Sequence, residues 1–310
     1  MSRRGWILFA AMSLIWGIPY LLIKIAVEGL PVPVLVFART AVGAAVLLPL
    51  ALRGNALAGV RRHWRPVLAF AAIEIMVPWF LLSDAEQHIT SSLTGLLIAA
   101  TPVVAVVAAR LTGDRERLGP LRWAGLAVGF GGVAVLAGPA LAGGAPWPIA
   151  EVLIVAVCYA VAPIIASRHL ADVPSLPLTA VCLAVATVVY TPAAVVTWPS
   201  AWPAADVLVA LAALALVCTA LAMVLFFSLI REVGGPRAVV ITYVNPAVAV
   251  AAGALVLDEP VTVQMVVAFA LILAGSVLAA GRRRPEAPAV PEPAAAAAAA
   301  QPPARTSPDS

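Results

Sequence analysis

The stretch TPVVAVVAARLTGD at residues 101–114 returns as NPAVAVAAGALVLD at residues 245–258. Pro102, Val104, Ala105, Val106, Ala108, Leu111 and Asp114 fall on identical residues: Pro246, Val248, Ala249, Val250, Ala252, Leu255 and Asp258. Ala and Val coincide easily in a chain rich in both, so the proline and the aspartate carry the match. The same displacement of about 143 to 144 residues extends outward in both directions. Trp16-Gly17 falls on Tyr159-Ala160, Pro31 on Pro174, Pro49 on Pro192 and Gly131 on Gly275. The chain reads as one module written twice.

The 310 residues are 63% hydrophobic and 11% charged, with a mean hydropathy of +1.04. A soluble fold of this length has too little polar surface to cover so much apolar chain, whereas a bilayer takes the place of water around the outside. A membrane helix needs roughly 20 mostly apolar residues. Ten segments qualify: 6–26, 32–52, 66–83, 90–111, 121–138, 148–167, 175–197, 205–229, 238–257 and 261–280. Five fall in each copy of the module. An odd number makes the second copy enter the membrane from the opposite side, so the copies are inverted repeats. The expected fold is an all-α integral membrane protein of ten transmembrane helices, built as two inverted five-helix repeats at 1–140 and 141–281. Two such copies can exchange conformations and yield inward-open and outward-open states of similar energy, which a transporter requires and an enzyme does not. Residues 282–310, rich in Pro and Ala, cannot build a core and are expected to form a disordered cytoplasmic tail.

The formal net charge is +4, but the positive residues sit in short links, which points to orientation in a bilayer and not to nucleic acid. Arg3 and Arg4 precede the first segment, and Arg53, Arg61, Arg62 and Arg65 lie between the second and third. Arg110, Arg115, Arg117 and Arg122 flank the link from fourth to fifth, Arg168 follows the sixth, and Arg231 and Arg237 surround the link from eighth to ninth. Arg282, Arg283 and Arg284 follow the tenth. The alternate links hold Glu28, Asp84, Glu86, Asp206, Asp258 and Glu259. The positive-inside rule then places both termini in the cytoplasm. Trp6, Trp64 and Trp123 fall at predicted inner ends, and Trp147, Trp198 and Trp202 at predicted outer ends, as the headgroup preference of indole requires. Trp16 and Trp79 are the exceptions, well inside their segments. The apolar run after Arg4 continues through Ala26 with no small-residue cleavage site, too long for a signal peptide. Cys158, Cys182 and Cys218 lie in apolar runs at no metal-ligand spacing and read as small packing residues.

The ordered set of motifs resembles the drug/metabolite transporter superfamily, in its EamA-like branch of two five-helix repeats. The residues that carry the resemblance are Trp16-Gly17-Ile18-Pro19 with Lys24 downstream, Arg39, Ala85, and the Thr101-Pro102 stretch leading to Asp114. Asn245-Pro246 through Leu257-Asp258-Glu259, and then Gly275, complete it; together they cover residues from about 5 to 281. The chain departs at the end of the fourth helix, where the family favours a Glu and this chain has Asp114 and Glu116. The resemblance implies transport of metabolites, amino acids or drugs across a bacterial inner membrane without naming the cargo.

Polar residues inside the apolar runs are the candidate pathway, because a charge near the bilayer centre costs about 2.5 to 3.5 kcal/mol on insertion scales. Glu74 lies roughly 12 Å into its helix and Arg39 roughly 10 Å into its own, at 1.5 Å per residue. Glu74 is either a proton-coupling or amine-binding carboxyl or one half of an ion pair with Arg39. Arg39 could reach Glu74 or bind an anionic cargo group, and the resemblance favours a structural role for it. Ser13, Gly17, Tyr20 and Lys24 share one helix face, which should turn to the bundle interior. Lys24 could instead extend to the outer headgroups. Trp16, Tyr159, Thr101, Thr242 and Asn245 complete the candidate pathway. Ser91, Thr94 and Thr101 form one face of the fourth segment, and Thr179, Thr187 and Tyr190 one face of the seventh. Pro19 and Pro163 are expected to interrupt helices one and six at matching places, the strongest sequence pointer to a binding site. Gly125, Gly129 and Gly132, with Gly275, form a small-residue stripe for close helix contact, within the chain or in a homodimer.

The expected function is a secondary active transporter of a small organic solute, an exporter coupled to a proton gradient. No phosphate-binding G-x-x-x-x-G-K-[ST] loop occurs, so no ATP hydrolysis is expected. An enzyme would need paired His or carboxylates or a nucleophile elbow; His63, His88 and His169 sit in links at no metal-ligand spacing. A non-transporting sensor or structural subunit is the alternative, and it would need a sizeable soluble domain. No cofactor, metal or nucleic-acid partner is expected; the partners are a small-molecule substrate and the lipid bilayer.

Overall fold

The computed structural model of the chain describes residues 1–52, 57–113, 119–144, 146–238 and 240–280. Arg53, Asp114, Arg115, Glu116, Arg117, Arg282, Arg283, Arg284 and the tail 282–310 lie outside the described residues. Among the described residues, eight helices are long and apolar enough to cross a membrane. They are α1 (Arg3–Ala26), α2 (Val32–Ala51), α3 (Trp64–Ala85), α4 (Ser91–Leu111), α5 (Pro120–Ala142), α6 (Pro146–His169), α7 (Ser175–Val196) and α8 (Ala205–Val233). Two shorter apolar helices follow, α9 (Ile241–Val256) and α10 (Val263–Ala279). There is no strand among the described residues. Each expected segment overlaps one of these helices, but α9 and α10 are shorter than a full span. The chain ahead of α9 turns through Gly234, at a φ of 82° that suits glycine, and a short helix at Gly235–Ala238.

Irregularities interrupt several helices, and side chains repair them. In α4 the helix breaks at Ala99 and Ala100, just ahead of Pro102. A proline cannot donate to the carbonyl four residues back, here that of Ile98. The Thr101 hydroxyl donates to that carbonyl at 2.7 Å instead. In α3 a π-helical turn at Ala72–Met76 directly precedes Pro78, and the Tyr190 hydroxyl from α7 donates to the Met76 carbonyl at 2.9 Å. In α8 a π-helical stretch runs over Ala213–Leu221, where the Thr219 hydroxyl donates to the Leu214 carbonyl at 2.9 Å. The π segments of α3 and α8 fall on each other under the repeat displacement. In α1 the break comes at Ile18, between Gly17 and Pro19. The matching break expected at Pro163 is absent: α6 runs unbroken from Pro146 to His169. The helix-favouring Ala160 stands there where α1 has Gly17, so the helix carries its proline without ending.

The helices pair in a pattern that survives exchanging each with the one five later. α2 packs along α7, α5 along α10, and α4 along α9. α1 meets α8 and α9, as α6 meets α3 and α4. α2 also meets the π segment of α8, as α7 meets α3. The α5–α10 contact is backbone against backbone: a Cβ on Gly275 would lie 2.4 Å from the Gly129 nitrogen and 2.7 Å from the Gly125 carbonyl oxygen. The glycine stripe therefore works within the chain. Gly131, the residue in register with Gly275, meets nothing within 4 Å. Trp6, Trp64, Trp123, Trp147, Trp198 and Trp202 are all exposed on the outside of the bundle, while Trp16 and Trp79 turn inward.

Candidate functional site

The interior face of α1 joins three neighbours. Ser13, Gly17 and Tyr20 are buried, and Lys24 is half-buried, so this stripe does face the bundle. Gly17 lets α9 approach until its Cβ position lies 2.4 Å from the Cβ of Val248. With its amide nitrogen turned toward α1, Asn245 donates to the Ile241 carbonyl at 2.8 Å and to the Ser13 carbonyl at 3.3 Å. Trp16 packs its ring on Phe226 of α8, with centroids 4.6 Å apart. Tyr20 packs against Gly95 of α4. Thr242 is exposed at the start of α9.

Arg39 is the centre of a second group. Only 6% of it is exposed. Its Nε donates to Thr219 Oγ1 at 3.1 Å, and its guanidinium carbon stands 3.6 Å from the centroid of the Trp79 ring. Among the described residues no ion pair joins Arg39 to Glu74; its contacts are the Trp79 ring and the Thr219 hydroxyl instead. Tyr159 of α6 adjoins both sides of this group: its hydroxyl meets the Trp79 indole, and it lies within electrostatic range of Glu74, Tyr20 and Arg39. Glu74 itself is half-buried in the π turn of α3. A π turn widens the helix and turns its side chains out of the regular spacing, which suits a residue that must reach an interior space. Tyr20, Arg39, Glu74 and Tyr159 are thus brought together, and Trp79 and Thr219 join them unforeseen. Trp79 did carry a sequence signal, as a tryptophan far from any headgroup level.

A third group closes the end of the bundle where α3 meets α4. The Lys24 ammonium donates to the carbonyls of Glu86 at 2.6 Å and Ile89 at 3.0 Å, which satisfies the C-terminal end of α3. Glu259 performs the opposite service for α4. Its carboxylate accepts from the backbone N–H of Ser91 at 2.8 Å and of Ser92 at 2.9 Å, and from the Ser92 hydroxyl. Asp258, with φ at 52° in the left-handed region, turns the chain so that Glu259 points back at these amides. Gly253 leaves the room for it, since a Cβ there would lie 2.4 Å from Glu259 Oε2. Glu86 is not the solvated link residue the charge pattern suggests. It is 0% exposed, and neither carboxyl oxygen has a hydrogen-bond partner among the described residues. Burial pushes its carboxyl well above the usual carboxylate range, against the pull of Lys24. Glu151, three residues past Pro148 on α6, is 2% exposed and meets Asp84 and Trp147. Nothing in the hydropathy pattern singled it out.

A bundle of membrane-length apolar helices with titratable side chains gathered in its interior is the architecture of a polytopic membrane protein. The sequence matches the EamA-like transporter family over residues 3–138 and again over residues 146–281. The chain belongs to the EamA-like transporter family. It is 30% identical over 250 residues to the "uncharacterized inner membrane transporter YedA" of Escherichia coli strain K12, covering 78% of this chain and 79% of that one. The YedA protein of Escherichia coli O157:H7 matches to the same extent. A solved crystal structure of a protein superposes with a TM-score of 0.64 at 22% identity, over 89% of this chain and 96% of the other, which establishes likeness of fold.

Proposed function

We propose that the protein is a secondary active transporter that exports a small organic metabolite, amino acid or drug from a bacterial cell across the inner membrane, driven by a proton gradient. The observation that carries this reading is the exchangeable helix pairing, with π segments aligned in α3 and α8. In this reading residues 1–140 and 141–281 are inverted repeats of five membrane helices each, and the pair rocks about the residues between them. Residues from both halves converge there: Tyr20, Arg39 and Glu74 from the first, Tyr159 and Thr219 from the second. Glu74, half-buried and without a fixed ion-pair partner among the described residues, is the carboxyl that exchanges protons with the pathway. Lys24 and Glu259 hold the ends of α3 and α4 together. Both termini lie in the cytoplasm. The arginine pattern of this chain supports that placement.

The test is flux in liposomes containing the purified chain, screened with labelled amino acids, amines and sugars, with and without a pH gradient. Cargo flux that rises with the gradient and collapses when a protonophore is added is the expected result. Flux indifferent to the gradient would remove the coupling, and no flux of any class would remove the transporter reading.

A further inference from the structure

Arg39 carries a buried charge that the protein leaves without an acid. The groups around it are Trp79 on α3, Thr219 and Cys218 on α8, Tyr159 on α6 and Tyr20 on α1. The carboxyl within its electrostatic range is Glu86, beyond ion-pairing distance. The face of a tryptophan returns less to a cation than taking a guanidinium out of water costs, even after the protein relaxes. One ring and one hydroxyl do not close that gap. The guanidinium offers five N–H donors in a planar fork, and only the one on Nε has a protein acceptor among the described residues. The edge left over, formed by the two terminal nitrogens, has the geometry that a carboxylate takes with two parallel hydrogen bonds.

We propose that Arg39 and Trp79 form a carboxylate subsite, and that the cargo is a small organic acid whose carboxylate sits on the terminal nitrogens of Arg39. This rests on the transporter reading above and narrows its cargo by chemical class. Trp79 shields one face of the guanidinium and fixes its plane, and Thr219 fixes its rotation by holding Nε. Tyr20 and Tyr159 stand within electrostatic range of the guanidinium and carry no charge that would repel an acid.

The test uses the purified full chain in detergent, in chloride-free buffer at neutral pH, with benzoate and its uncharged isostere benzamide as probes. Benzoate raises the thermal unfolding midpoint saturably and benzamide does not. Arg39→Gln weakens the apparent benzoate affinity by about 30-fold or more, as loss of one partner from a desolvated charge pair does. Arg39→Lys, which keeps the charge and loses the fork, weakens it by less. Equal protection by benzamide, no protection by benzoate, or benzoate protection unchanged in Arg39→Gln would each overturn the proposal. So would chloride occupying the site as tightly as benzoate, because Arg39 would then hold a structural anion. If Arg39→Gln does not fold, the comparison of benzoate with benzamide on the native chain decides. Liposomes that carry amines or sugars and no carboxylates would sink the subsite and leave the transporter standing. Benzoate binding with no flux of any solute would do the reverse.

Discussion

At the scale of single residues, the two interior carboxyls of α3 and its end behave differently because their surroundings differ. Glu86 is sealed, with neither oxygen hydrogen-bonded among the described residues, while Glu74 is half-buried on a π turn. An unfolded Glu86 releases its proton near the ordinary value of about 4.5, and the folded one keeps it to higher pH. Over that interval the folded state binds more protons, so this residue makes stability fall as pH rises above about 4.5. Thermal unfolding followed across pH should show that fall in the native chain. Glu86→Gln, which cannot titrate, should flatten it and gain relative stability toward neutral pH; an unchanged slope would mean that water reaches the carboxyl. For Glu74 the readout is flux. Glu74→Gln should abolish or uncouple transport in liposomes while leaving membrane insertion and yield intact. Normal cargo movement under a proton gradient would make Glu74 a structural residue.

At the scale of elements, close approach of helices rests on a few glycines whose neighbours are backbone and cannot move aside. Gly275 of α10 faces Gly129 and Gly125 of α5 at distances a side chain cannot share. Gly275→Val should therefore part α5 from α10 and destabilise the bundle by roughly 1 to 3 kcal/mol, the usual cost of overpacking. Gly131→Ala, on the open side of α5, should leave the unfolding midpoint unchanged and serves as the matched comparison. Between α9 and α4 the contact is polar. Gly253→Ala should push Glu259 off the amides of Ser91 and Ser92, leave the first turn of α4 to the Thr90 cap alone and cost about 1 kcal/mol. Added hydrogen exchange in the first turn of α4 would report that loss; protection equal to the native chain would show that the cap survives.

At the scale of the whole molecule, exchange of each helix with the one five later maps most of the packing onto itself. The map is imperfect where the residues differ. Gly17 and Pro19 break α1, while Ala160 and Pro163 leave α6 whole. Arg39 on α2 faces the π segment of α8, and Cys182 occupies the corresponding place on α7, in electrostatic range of Glu74 on α3. Orientation is a prediction at this scale. A cysteine placed at the exposed Ala58, in the short helix Leu57–Arg62, should be modified by an impermeant reagent only in opened cells. Labelling of intact cells would turn the molecule over.

The apolar helices and their order were determined by the sequence alone, because membrane spans are long apolar runs whose backbone bonds are local. The inward stripe of Ser13, Gly17 and Tyr20 was legible for the same reason, being a periodicity within one helix. Which side chains meet across helices was decided only by the tertiary structure. Arg39 met Trp79 and Thr219 and not Glu74, Glu86 became a sealed carboxyl, and Glu259 reached back to cap α4. Those contacts depend on the rotation and depth of each helix against its neighbours. Helix rotation is set by small local events, such as the π turns and the Gly17–Pro19 break, which hydropathy does not record.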